Sequence, residues 1–297
     1  MNYPLVVATS LLSTIFFAVS TALKHRSATT LPPTSGQGAA GLGRFLASTL
    51  SHPWWIAALV ADAIGFTMQA YALHIGAVSV VQPLLVTALL TSLVVDHLSK
   101  GTRMTRREWA WGGLLVASLV GFLFVSGASS PHQVHHAADR GPAAVCAALA
   151  GVLAVVCVVA ARRAPAHRAP LLGVAVGTMY ACTAVLIKAT TEVLGNAGVL
   201  AMLTSWQLPV LVACGVSGLL LAQLAFRSGP LHSSLSVIAT VDPLLSVALG
   251  VVVYDEQLRT GVLAVAGQVV LLVALVIAAS ALSRLNAVNS TPGAVPG

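Results

Sequence analysis

Lys24, Asp62, Asp96, Lys188, Asp242 and Glu256 stand inside or at the ends of long apolar runs. An ionisable side chain in such surroundings costs a few kcal/mol and is a functional candidate by default. Asp62 shares a helix face with Gln69, seven residues on, and a cavity lined by both could bind a cation or carry a coupling proton. Asp242 precedes Pro243 in mid-run, where Gln82 precedes Pro83 in an earlier run. A carboxylate standing where the other copy has a neutral amide marks a place for a solute or an ion. Ser233, Ser236 and Thr240 approach Asp242 at three- and four-residue spacing. Their hydroxyls could coordinate a solute or join two helices. This is the chemistry of binding and translocation. With no Walker A sequence, nucleophile elbow or HExxH, the chain is not expected to be an enzyme, and no cofactor is expected.

The elements that must position these groups are membrane spans. Hydrophobic residues make up 57% of the 297-residue chain and charged residues 8%, with a mean hydropathy of +0.92. A soluble domain carries about 25% charged residues, so the fold expected is an all-α polytopic membrane bundle. Nine apolar runs are long enough to cross: 4–23, 53–74, 77–98, 107–127, 142–161, 170–190, 207–226, 231–254 and 261–282. Segments 36–50 and 192–205 are shorter and hold Arg44, Glu192 and Asn196, which suits an interfacial or re-entrant position. The first run lacks a basic region before it and is expected to be retained rather than cleaved. Residues past 282 read as a short disordered tail. The net charge of +7 forms no basic stripe interleaved with aromatics, so nucleic acid is not an expected partner.

The third run recurs in the eighth. VQPLLVTALLTSLVVDHL (81–98) and VDPLLSVALGVVVYDEQL (241–258) share seven of eighteen positions, and Asp96 aligns with Glu256. Each holds a proline, which frees the carbonyl four residues back, Ser79 or Ala239. Membranes tolerate that where protein or a wet cavity satisfies it, so both prolines point to a central pathway. Lys188 in run six corresponds to Lys24 in run one. Five crossings separate counterparts, an odd number, so the halves (4–127 and 170–282) are inverted, with 142–161 as the linking helix. Twelve of fifteen basic residues fall on one side of a nine-span arrangement. The positive-inside rule makes that side cytoplasmic, with the N-terminus outside and the C-terminus inside a plasma membrane. Lys24 and Asp96 then end their spans at the inner surface, and Lys188 and Glu256 at the outer. The pairs Lys24–Asp96 and Lys188–Glu256 would close an inner and an outer gate in turn.

TALK in span one, WW opening span two, AYAL then VVQPLL leading to Asp96, and VLIKATTE in span six together resemble the drug/metabolite transporter superfamily, nearest its NIPA-like magnesium transporter branch. The resemblance covers about residues 4–282 and implies a small-solute carrier with its cavity between the halves. A magnesium carrier using Asp62, Asp242, Gln82 and hydroxyl oxygens is an alternative, as is a membrane scaffold without transport. The partners expected are a small solute or ion and the lipid bilayer; a homodimer is left open.

Three further groups are predicted to be structural. Cys146, Cys157, Cys182 and Cys214 lack ligand or redox spacing and read as reduced packing residues. Gly173, Gly177, Ala181 and Ala184 form a small-residue face on span six that carries Lys188, and Gly113, Ala117 and Gly121 do so on span four. The loop with His132, His135, His136 and Asp139 has metal-ligand types but no rigid frame, and no metal site is expected there.

Overall fold

The computed structural model describes residues 3–30, 53–127, 141–228 and 231–289, and these are almost entirely helical. In chain order the helices are α1 (Tyr3–Thr30), α2 (Pro53–Ile75), α3 (Val78–Leu85), α4 (Ala88–Lys100), α5 (Arg106–Ser126), α6 (Gly141–Arg163), α7 (Arg168–Thr204), α8 (Gln207–Arg227), α9 (Leu231–Tyr254) and α10 (Val262–Asn289). Counting α3 and α4 as one span, nine helical segments among the described residues are long and apolar enough to cross a membrane. The chain is an all-α multi-pass membrane bundle. Its outer surface is apolar, as lipid requires: Phe124, Leu149, Leu200, Leu220 and Val270 are all well exposed.

One packing pattern appears in both halves. α1 packs on α2 and on both parts of the third span, while α7 packs on α8 and α9. Across the halves α5 packs on α10, and α3 packs on α9. The linking helix α6 lies against α7. α7 is the most buried span, with Leu172, Ala175, Val176, Ala181, Cys182, Val185 and Leu186 each at most 1% exposed. Its glycines explain the depth. A Cβ on Gly177 would lie 2.8 Å from that of Val241, and one on Gly173 would lie 3.1 Å from the Ser234 carbonyl oxygen, so the small-residue face admits α9 to near backbone contact.

The structure departs from the sequence reading in the third span, on the packing face of α5 and in the tail. Run 77–98 is two helices, interrupted at Val86–Thr87. There the bonds shorten to the i→i+3 kind (Val86 N to Pro83 O, 3.3 Å; Thr87 N to Leu84 O, 3.1 Å), and the Thr87 hydroxyl also donates to Leu84 O at 2.6 Å. Pro243, by contrast, sits inside an uninterrupted α9. Segment 192–205 is helical but broken at Gly198, where a φ of 81° and a ψ of 179°, which a side chain would resist, set a short last helix apart from the rest of α7. On α5 Gly113 and Ala117 face outwards, and the packing face holds Gly112, Leu115, Ser118 and Phe122 instead, with Gly121 against Leu271. The expected tail is still helical to Asn289, where Ser283 is buried. Segment 36–50 and the loop of His132, His135, His136 and Asp139 lie outside the described residues, as does the side chain of Lys24.

Candidate functional site

A buried cluster of charged and polar groups lies where α2 gives way to α3. Ile75 ends α2, Gly76 and Ala77 make the turn, and α3 starts at Val78 with no side-chain cap of its own. Gly76 is needed there: a Cβ would lie 2.7 Å from Val6 Cγ1 and 2.8 Å from the Ala72 carbonyl. The first amides of any helix lack intrahelical acceptors, and burial makes that costly. Glu256 supplies the acceptor from across the molecule. Its Oε1 accepts from Val78 N at 2.6 Å and its Oε2 from Ser79 N at 2.9 Å.

Lys188 completes the arrangement. Its ammonium lies 2.9 Å from Glu256 Oε1 and donates to the Gly76 carbonyl at 3.0 Å. It also sits 4.7 Å from the centre of the Tyr254 ring, a cation–π contact. The Tyr254 hydroxyl in turn donates to Val185 O at 2.6 Å, tying the end of α9 to α7. Lys188 is 4% exposed and Glu256 2%. Such a pair differs in kind from a surface salt bridge: removing one partner strands the other charge, at about 3–5 kcal/mol, against about 0–1 kcal/mol for an exposed pair.

The peptide that carries Glu256 is bent back to reach this place. α9 stops at Tyr254, Asp255 takes a left-handed φ of 48°, and Glu256 N donates to Gly250 O at 3.3 Å. Gly250 leaves the room, for a Cβ there would collide with the Glu256 carboxylate. Farther on, Arg259 N donates to Ser126 O at 2.8 Å and Gln268 Nε2 to Arg259 O at 3.0 Å, fixing the turn between the ends of α5 and α10.

No protein-family model matches the chain, and no solved structure matches it. It is 27% identical over 255 residues to an uncharacterized protein of Corynebacterium glutamicum, with 86% of each chain covered. The likeness thus spans nearly the whole bundle.

The other residues singled out in the sequence are spread more widely. Asp62 and Gln69 are half-buried on α2, which packs mainly on α1 and α7. Gln82 is buried on α3, and Asp242 is half-buried on α9 with the Ser246 hydroxyl donating to its Oδ1 at 3.2 Å. Ser236 and Thr240 face α10: Ser236 Oγ lies 3.0 Å from Ser283 Oγ, and Thr240 Oγ1 lies 3.2 Å from Ser280 Oγ. These hydroxyls fasten two helices, the structural one of their two readings. Asp96 stays within α4, half-buried, while the acid aligned with it lies beyond the end of α9.

Two features had no signal in the pattern of residues. Tyr254 reads as one more apolar residue at a helix end, and the Gly76 carbonyl and α3 amides are backbone groups. The cysteines are not isolated either: Cys182 and Cys214 bring their sulfurs within 4.0 Å between α7 and α8, although all four are free thiols.

Proposed function

We propose that the chain is a secondary transporter of a small solute, working by alternating access between two inverted halves. The observation that supports this best is the buried clasp of Lys188 and Glu256, both from the second half, on the Gly76 carbonyl and α3 amides of the first. A packing contact would be served by apolar groups, which in buried positions are often as stable as an ion pair or more so. A clasp of charges has a second state available, because each group is stable again once water reaches it.

On the distribution of basic residues this clasp is the outer gate, the N-terminus is outside and the C-terminus is cytoplasmic in a plasma membrane. The described conformation is then closed to the outside. Lys24 and Asp96 take the inner gate in this scheme. Resemblance of the TALK, VVQPLL and VLIKATTE segments to the drug/metabolite transporter superfamily supports the same reading.

Accessibility tests it. With Cys146, Cys157, Cys182 and Cys214 replaced by alanine, a cysteine at Ser79 should be silent to an impermeant thiol reagent in intact cells. Adding Lys188→Ala should make it react, and purified protein in liposomes should take up at least one solute from a panel of acids, amines, sugars and magnesium. An unreactive Ser79→Cys in both backgrounds, with no uptake of any solute, would refute the reading.

A further inference from the structure

If the outer end is a gate, its opening needs an explanation, because the clasp is buried and every donor in it is satisfied. A ligand can open it only by binding the open state better than the closed one. The fixed groups of the clasp define what that ligand must be. Lys188 is held on the long helix α7, and the Val78 and Ser79 amides are fixed at the start of α3; all three donate, and all three now converge on one carboxylate. Glu256, by contrast, rides on a turn outside any helix, behind an Asp255 of positive φ. Its neighbours Asp255 and Gln257 are exposed while Glu256 itself is 2% exposed, so this one side chain plugs the site directly beneath the surface.

A further group at the same turn is unused. The Ser79 hydroxyl is fully buried and has no hydrogen-bond partner among the described residues, although the Ser79 amide is bonded to Glu256. α3 is a half-helix, ending at Leu85 inside a span, and its buried N-terminus carries the positive end of a short helix dipole beside the Lys188 ammonium. Glu192, one turn beyond Lys188 on α7, is half-buried and close enough to interact electrostatically with both Lys188 and Glu256, so it is a second acid that an incoming anion meets.

We infer, resting on the transport reading, that the solute carries a carboxylate, and that this carboxylate takes the place of Glu256 on Lys188 and the first two amides of α3. Glu256 is a tethered stand-in for its own ligand. When the solute arrives, Glu256 swings to water and the gate opens with no donor left stranded. The Ser79 hydroxyl, buried and unbonded at the same turn, leaves a polar group for a solute larger than the Glu256 carboxylate. A planar carboxylate matches the geometry, since Glu256 presents one oxygen to Val78 and Lys188 and the other to Ser79.

The test uses the full chain in lipid nanodiscs, with acetate and benzoate as probes and acetamide, benzamide and sulfate as controls. In Glu256→Ala, acetate should raise the unfolding temperature, and benzoate should bind at least tenfold more tightly than to the unsubstituted protein, because the tethered competitor is gone. Controls should do neither. Glu256→Gln, which keeps the side-chain shape, carries the same titration if the alanine variant does not fold. A folded variant that responds to carboxylates no more than to sulfate would overturn the inference. Uptake in liposomes separates the two proposals, with succinate compared against its diamide. Carboxylate binding without flux of any solute would remove the transport reading and leave the site standing. Flux of amines or sugars, with no carboxylate response in the variant, would remove the site and leave transport.

Discussion

The two copies of the repeated eighteen-residue stretch begin alike and end in different structures. In the first, the helix breaks after Leu85, resumes at Ala88 and carries Asp96 within α4. In the second, the helix passes its proline without a break, ends at Tyr254 and folds Glu256 back onto the molecule. The proline is common to both, so it is not what decides. Two exchanges do. Thr87 aligns with Val247, and only the threonine has a hydroxyl to add a second bond to the Leu84 carbonyl at the break, which also accepts from Thr87 N. Leu90 aligns with Gly250, and only the glycine leaves space for a returning carboxylate, whereas Leu90 fills its place by packing on Gly112. The first copy thus overlaps the half-helix whose start at Val78 lacks a side-chain cap of its own, and the second ends in the acid that caps that start.

The largest expected effect comes from removing one side of that complementarity. Lys188→Ala or Glu256→Ala alone should each cost about 3–5 kcal/mol of stability, with the double variant Lys188→Met/Glu256→Leu losing much less than the sum. Denaturant unfolding in detergent measures this; additive losses would mean the two groups act separately. Next, Gly250→Leu gives the second copy the residue of the first. It should expel Glu256, cost about 1–3 kcal/mol through overpacking, and make a cysteine at Ser79 reactive from outside. Retained stability with a silent Ser79→Cys would break the account of Gly250.

Much of the frame was legible in the sequence. Hydropathy finds the spans because lipid enforces one rule on every residue facing it. The Gly173–Gly177 face indicates that the side of α7 bearing Lys188 meets protein, and the two crossings between the ends of spans six and eight put Lys188 and Glu256 at one end. The Lys188–Glu256 contact was legible as a pair, but the rest of the clasp was not, since its donors at the α3 start are backbone amides 177 and 178 residues from Glu256 and its acceptor is the Gly76 carbonyl. Nor was the break at Val86–Thr87, because an i→i+3 turn keeps the same apolar pattern as the helix around it. The Ser236–Thr240 face had two readings of equal composition, and only the position of α10 separates them.

Smaller changes sharpen the same comparison. Thr87→Val, the residue of the second copy, should remove a hydrogen bond and cost about 1 kcal/mol, while slowing hydrogen exchange at residues 86–90 if the helix closes up. Faster exchange would show that the hydroxyl follows the break rather than supporting it. Ser236→Ala should cost only about 0.6 kcal/mol, the usual worth of an interhelical hydroxyl bond in a membrane. A loss of flux with stability intact would return Ser236 to the solute path.

The kink at Gly198 links the clasp to the lipid. The straight part of α7, residues 168–197, is roughly 45 Å long at about 1.5 Å per residue, well beyond a hydrocarbon core of about 30 Å. Past the kink, Val199, Leu200 and Leu203 are 60%, 77% and 58% exposed, so the last turns present an oily surface, like a float on a mast. A float holds its level. In a thicker bilayer it rides farther from the midplane and draws α7 upright; in a thinner one α7 leans. Lys188 travels with that mast, whereas Glu256 hangs from a different helix pair, so acyl-chain length becomes a mechanical load applied between the two halves of the latch.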